Sequence, residues 1–582
     1  MSHSDRLEID PVPQLTTAAP DYAVEKDPNV IESAKDDLYH NVVDEDIKPP
    51  YVNEAVVMRS PFDDMSFFRT LRVFWKAELI AFIAAFSAAS DGYQIQMTGS
   101  IVANKGFITQ FGTEMSKGKL ILSAQVLSIW GGVQSLGQGM GMLTTHFIAD
   151  RWGRKAGFFW LWIVLVGGVL CESLARDWKV WVAAKLLSGY AVGSVQFMTT
   201  SYMAEILPIR TRGSLLITYT IWYDIGQVLA STALKVLNDK QPHNYLTAVY
   251  TEWAVIGLMF FVYLYIPESP WWCANHDKHD RGRTILAKLN GNIEGYDVDY
   301  HYGLIKKTVQ IEREYGEMLH GPSKGFWQSV WNLRELFTGV NGFRTLVAFF
   351  PPATQQISGL AVLSNYASYF AQVAGFANPF VFSLLLALVS IGCTVIAFLV
   401  TDLIGRRALF LTGVVGTWCC LMIVGGMGLI KNPSLADHKL TLFFALVWRM
   451  VSDLEGTLGR SFAAETGSSR LRVKTAGVSS AGGVAVGVLF STTVPYMLNT
   501  ANANWGLKTC FFFAGISLPM CVASFFVIPD TSKRSPAELD EMFEKKIKPW
   551  RFRGYVTDAQ LALQAEKERL GDDTEAIQHQ AQ

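Results

Sequence analysis

Charge is scarce in this sequence, and neither sign prevails: Asp, Glu, Lys and Arg make up 17% of 582 residues, with 50 basic against 51 acidic side chains. Phosphate neutralisation needs a clustered basic excess, so this balance argues against a nucleic-acid partner. Cysteine is sparse too. The seven show no CxxC spacing and mostly sit in apolar runs, where the thiol behaves as a small hydrophobe, so neither a disulfide framework nor a zinc site is suggested. There is no HExxH string, and the ten histidines form no ligand spacing. The single P-loop-like stretch, GTEMSKGK (112–119), has five residues between its glycines instead of four and Leu120 where a magnesium-binding hydroxyl belongs. A metalloprotease and an ATP-driven pump therefore lack their sites, no enzyme activity is expected, and no cofactor or metal is called for. The first 70 residues carry 15 Asp/Glu against 6 Lys/Arg and no apolar stretch. This predicts a disordered acidic tail and no cleavable signal peptide, and leaves the first long apolar segment to target the membrane.

What the chain has in abundance is apolar surface: 50% hydrophobic and 13% aromatic residues over a length too great for one soluble core. Its partner must be lipid. Twelve segments of spanning length can be read, at roughly 78–101, 119–147, 156–174, 178–204, 214–235, 251–267, 344–371, 378–400, 408–430, 439–464, 475–498 and 507–528. They fall six and six, giving an acidic tail (1–72), a first bundle (73–267), a polar connector (268–343), a second bundle (344–529) and a C-terminal tail (530–582). The connector stretch 302–319 places Leu304, Val309, Ile311 and Leu319 on one face, which reads as an amphipathic membrane-surface helix.

Three strings recur in order. ADRWGRK (149–155) returns as TDLIGRR (401–407), AEILPIRTRG (204–213) as AETGSSRLRV (464–473), and IPES (266–269) as IPDT (528–531), at offsets of 252, 260 and 262 residues. A near-constant offset implies duplication of a six-helix unit, with parallel repeats and a substrate site between them near the midplane. Arg151, Arg154, Arg210, Arg212, Arg406, Arg407, Arg470 and Arg472 lie at one end of the spans and Arg176 alone at the other, which predicts cytoplasmic termini.

These residues also carry a family resemblance. Asp150, Gly153, Arg154 and Lys155, echoed at Asp402, Gly405, Arg406 and Arg407, resemble the loop signature of the major facilitator superfamily. PESPWW (267–272), QQISG (355–359) and PDTSKRSPAELDEMFE (529–544) resemble its sugar-porter branch, over about 73–545. RLRVKT (470–475), with no tryptophan five residues before Glu465, is more similar to the fungal α-glucoside (maltose) permease group than to hexose carriers. The resemblance implies an all-α membrane protein of twelve transmembrane helices. It further implies a secondary transporter that moves an α-glucoside, oligosaccharide or hexose across the plasma membrane. The alternative is a transporter-like sugar receptor that binds without transporting.

Particular residues follow. Glu205 and Glu465 can accept bidentate hydrogen bonds from Arg154 and Arg406 and, with Asp150 and Asp402, form a latch that breaks when the halves rock; alternatively the arginines only set topology. Polar groups within spans are costly in lipid and are functional candidates. The resemblance assigns sugar contacts to Gln355 and Gln356, and to Gln227. Asn365 and Tyr366 are further candidates, although such residues can merely glue helices. The family asparagine two residues after the motif glycine is here Ala361, and the first tyrosine of the later aromatic pair is Asn365. Asp91, in the first span, and Lys185, in the place of a family arginine, are the expected proton-coupling pair. The aspartate of family symporters is Gln94 here, which leaves facilitated diffusion as the alternative. Asp224 and, four residues apart on one helical face, Arg449 and Asp453 are further unusual charges, the latter two a neutralising pair.

Overall fold

The computed structural model describes residues 62, 65–116, 118–320, 332–376, 378–430, 432–467, 471–532, 534 and 536–557. Of the expected tails, 1–72 lies largely outside these residues, while about half of 530–582 is described and includes a helix, Pro536–Glu544. Apolar side chains at spanning length, with glycine and serine in place of breakers, give helices in all twelve expected places. The first span is Trp75–Ala85 with Ser87–Ile101, preceded by a short helix, Phe67–Val73, turned 88° from it. Spans two to six are Ala124–Trp152, Arg154–Leu174, Trp178–Ile206, Ile217–Lys240 and Tyr245–Tyr250 with Glu252–Tyr265. The seventh is broken into Gly339–Ile357, Leu360–Leu363 and Ala367–Val373. Spans eight to twelve are Pro379–Ile404, Arg406–Met427, Leu435–Glu465, Arg472–Leu498 and Thr509–Val527. A two-stranded hairpin, Glu114–Ser116 with Lys119–Ile121, links spans one and two.

Hydropathy sorts these helices. Spans three, six, eight, nine, eleven and twelve are long and apolar enough to cross a membrane by composition alone, and the first joins them if its bent pair counts as one. Spans two, four, five, seven and ten fall short, because they carry Gln134, Lys185, Asp224, Gln355 and Arg449 among others. Polar residues in lipid must face protein or a water-filled cavity, so these five helices mark the interior path. Exposed Ile163, Phe261, Ile396 and Val522 on the apolar spans give the bilayer its surface.

The packed interior is divided. One cluster gathers Trp130, Phe158, Trp181 and Tyr263 of the first six spans with Phe107 of the short helix Lys105–Phe111 between spans one and two, and Phe380 reaches across to it; another gathers Phe370, Trp448, Phe490 and Phe513 of the last six. Close-packed cores move as units. The connector is helical, and its longest helix, Val298–His320, buries Val309 of the expected face together with Tyr302 and Ile305, which were not expected. Tyr302, Ile305 and Val309 pack on Ala274 and Leu286 of the short helices Pro270–Asn275 and His279–Asn290. The three connector helices thus bury one another's apolar residues.

Candidate functional site

At the arginine-bearing end, the loop between spans two and three turns through Gly153, whose φ of +115° favours glycine. A Cβ there would sit 2.3 Å from the Glu268 carboxylate. That carboxylate accepts the backbone N–H groups of Arg154 (2.7 Å) and Lys155 (3.2 Å), filling the open donors at the start of span three. The turn aims Arg154 at Glu205, which accepts from Nη2 at 2.7 Å and from Nε at 2.9 Å, while Asp150 accepts from Nη1 at 2.6 Å. The expected trio Asp150, Arg154 and Glu205 is therefore assembled, within the first half. Glu268 is a member that spacing arguments did not single out, although its recurrence as Asp530 signalled it. In the second half Gly405 repeats the conformation (φ +99°) beside Asp530, and Ser532 Oγ accepts from the Arg406 N–H at 2.8 Å. The side chains of Asp402 and Glu465 lie outside the described residues.

At the opposite end the two halves touch. Gly99 of span one lies against the Ser364 and Asn365 carbonyls where span seven is broken. The Tyr366 hydroxyl donates to the carbonyls of Ser491 (2.8 Å) and Leu127 (3.3 Å), Ser128 Oγ donates to the Thr492 carbonyl at 2.6 Å, and Asn499 Nδ2 donates to the Leu122 carbonyl at 3.0 Å. Beneath this seam is a cavity of about 50 Å³, lined by Thr98, Trp130, Gln134, Gln138, Asn365 and Tyr366 among others. That is space for a few waters. Asn365 and Tyr366 thus face the cavity and also close its roof.

The other candidate polar residues separate. Two prolines, Pro351 and Pro352, and Gly359 (φ +85°) interrupt span seven around the glutamine pair. Gln355 Nε2 donates to the Ser452 carbonyl at 3.1 Å, an approach that needs Gly456 opposite, where a Cβ would meet the amide at 2.1 Å. Gln356 is half-buried beside Gly487. Gln227 is buried elsewhere: its Nε2 donates to the Tyr223 hydroxyl at 3.1 Å, and its Oε1 accepts from Arg449 at 3.2 Å. In this conformation neither Gln227 nor the glutamine pair lines the cavity.

The pairing expected between Asp91 and Lys185 is not made. Lys185, fully buried, lies 2.9 Å from Glu172 Oε1 and donates to Thr98 Oγ1 at 2.8 Å. Gln94 bridges Glu172 (3.4 Å) and a second buried carboxylate, Glu252 (3.0 Å). Asp91 instead accepts from Gln196 Nε2 (2.9 Å) and the Tyr219 hydroxyl (2.6 Å). Sequence reasoning missed Glu172 because it stands in the third span, where no repeat or motif drew attention to it. The expected Arg449–Asp453 pair is formed, at 2.9 Å. Arg449 also donates to Ser390 (3.0 Å), and Ser390 and Thr394 donate to the two oxygens of Asp224 at 2.9 and 2.7 Å.

Comparison with known proteins places this geometry. Residues 80–543 match the sequence pattern of the family described as "Sugar (and other) transporter". The chain is 27% identical over 483 residues to the MFS transporter fmqE of Aspergillus fumigatus, covering 81% of this chain and 87% of that protein. It is 24% identical over 550 residues to the general alpha-glucoside permease of Saccharomyces cerevisiae, covering 93% and 86%. Its fold matches the inward open conformation of the xylose transporter XylE from E. coli with a TM-score of 0.61 at 17% identity, over 80% of this chain and 99% of that one.

Proposed function

From a chain that belongs to the sugar transporter family, with the twelve-helix fold of the major facilitators, we propose a secondary carrier that moves a glucoside or hexose across the plasma membrane by rocking its two halves. The observation that carries this reading is the asymmetry of the contact between halves among the described residues: a polar seam closes one end above a cavity, while at the arginine-bearing end the ion pairs of Arg154 stay inside the first half. With that end in the cytoplasm, as the arginine count favours, both termini are cytoplasmic and this conformation is shut to the outside. The divisions at 72, 267, 343 and 529 separate the tail, bundle, connector, bundle and tail that such a cycle uses. The mechanism needs no covalent chemistry: sugar is held comparably in both tilts and only the barrier between them changes. Uptake of a labelled panel of α-glucosides and hexoses into vesicles, with and without a proton gradient, tests the reading. Exchange of at least one sugar is expected, and binding without exchange of any would leave only a receptor.

Two residue roles belong to this reading. Gln356 would turn its amide to the sugar when the cavity opens. An unsatisfied hydroxyl partner costs about 1–3 kcal/mol, so Gln356→Ala should weaken sugar affinity about tenfold. Equilibrium binding of the transported sugar checks this, and unchanged affinity in well-expressed protein removes Gln356 from the site. Arg154 with Asp150 and Glu205, and its counterpart Arg406 with Asp402 and Glu465, would latch the outward-facing tilt, which requires Arg154 to exchange a partner of its own half for one of the other, because in this conformation its ion pairs lie within the first half. Arg154→Ala should therefore increase labelling of a cavity cysteine from the cytoplasmic side, and equal labelling would reduce the arginines to topology signals. Proton symport is part of the proposal, with Asp91 and Lys185 retained as candidates in separate hydrogen-bond networks.

A further inference from the structure

Resting on that transport reading, we propose that Asp224 is a proton-binding site that couples sugar movement to a proton gradient. The case begins with which buried charges can sense the tilt of the halves. The Glu172, Glu252, Lys185 and Gln94 cluster belongs wholly to the first half, as do the Gln196 and Tyr219 groups that hold Asp91. A rigid-body rock leaves such surroundings in place. Asp224 differs. It sits in span five of the first half, yet both its oxygens accept from span eight of the second half, through Ser390 and Thr394. Ser390 Oγ in turn accepts from Arg449 of span ten, so the carboxylate reaches a cation through one hydroxyl.

The charged and titratable groups around it are few. Span ten presents Arg449 and Asp453, which neutralise each other at 2.9 Å; span eight presents Cys393, whose thiol donates to the Met450 carbonyl; Tyr223 precedes Asp224 on its own helix. Span one approaches with Ala89 and Gly92, without charge, while Asp91 is held by Tyr219. Counting Asp224, Asp453 and Arg449, the ionised cluster carries one excess negative charge, held by two hydroxyl donors of the opposite half. In the present tilt those donors favour the carboxylate. When the halves part, the carboxylate loses both donors and the relay to Arg449, and an unpartnered anion within the membrane is costly enough to take a proton. The cycle then balances: the carboxylate gains a proton while the cavity faces outside, and the acid gives it up to the cytoplasmic side as Ser390 and Thr394 return.

In vesicles, Asp224→Asn should retain sugar exchange between equal pools and lose accumulation driven by a proton gradient. A sugar-free measurement separates failure of this proposal from failure of the transport reading. Spin labels at Met115→Cys and Leu435→Cys, exposed positions at the seam end on opposite halves, report the tilt by pulsed EPR, in protein with Cys171 and Cys419 replaced by Ser. The longer distance should gain population as pH falls in the parent and be present at every pH in Asp224→Asn. Ser390→Ala with Thr394→Ala should move the transition to higher pH. The proposal is overturned if Asp224→Asn follows pH like the parent or accumulates sugar like the parent.

Discussion

Replacing Lys185 by alanine should leave little folded protein. The ammonium is fully buried against Glu172, with Glu252 held beside both by Gln94, and it lies 4.9 Å from the centre of the Trp181 ring. Removing one partner of a buried ion pair strands the other's charge and typically costs about 3–5 kcal/mol. Whole-protein stabilities are about 5–15 kcal/mol, so a loss of that size removes a large share. The signature is rescue: Lys185→Met together with Glu172→Gln removes the stranded charge and should recover much of the detergent-solubilised yield and melting temperature. Should Lys185→Ala melt like the parent, the cluster contributes no such energy and these side chains are held by their surroundings alone.

A comparably large effect, on transport rather than folding, is expected at Gly99. A Cβ on this residue would stand 2.3 Å from the Asn365 carbonyl oxygen and 3.0 Å from that of Ser364. Backbone cannot yield to such a contact as a side chain can, so Gly99→Val opposes closure of the seam while leaving span one free to pack within its own half. Transport should fall more than tenfold, since a shift of only about 1.4 kcal/mol between tilts already changes their ratio by ten. A cysteine placed at Val102, on the cavity wall, should at the same time react faster with an impermeant thiol reagent added outside. Normal exchange with unchanged labelling would show that the seam does not close during the cycle.

Much of this was legible in the one-dimensional pattern. Apolar length predicts the twelve helices, since a backbone in lipid can satisfy its hydrogen bonds only internally. Recurrence of ADRWGRK as TDLIGRR predicts the duplicated unit, and the spacing of Asp150, Arg154 and Glu205 predicts a trio that the loop at Gly153 does assemble. Arg449 and Asp453 could be paired on paper for the same reason: four residues apart on a helix, they share a face whatever surrounds them.

The failures share a cause of their own. Periodicity tells which face of a helix a residue occupies, but not which other helix that face meets. Lys185 pairs with Glu172 and not Asp91 because the third span, which carries no motif beyond its first two residues, packs beside the fourth. Gln227 is bound by Arg449 from a helix more than two hundred residues away, and Tyr366 serves the seam because span seven breaks at Gly359 and sends its hydroxyl to span two. Composition, local spacing and duplication determined what kind of protein this is and where its helices run. Helix packing alone decided which charges meet and which contacts cross between the halves, because pairing energies depend on distances of a few ångströms that only the tertiary structure sets.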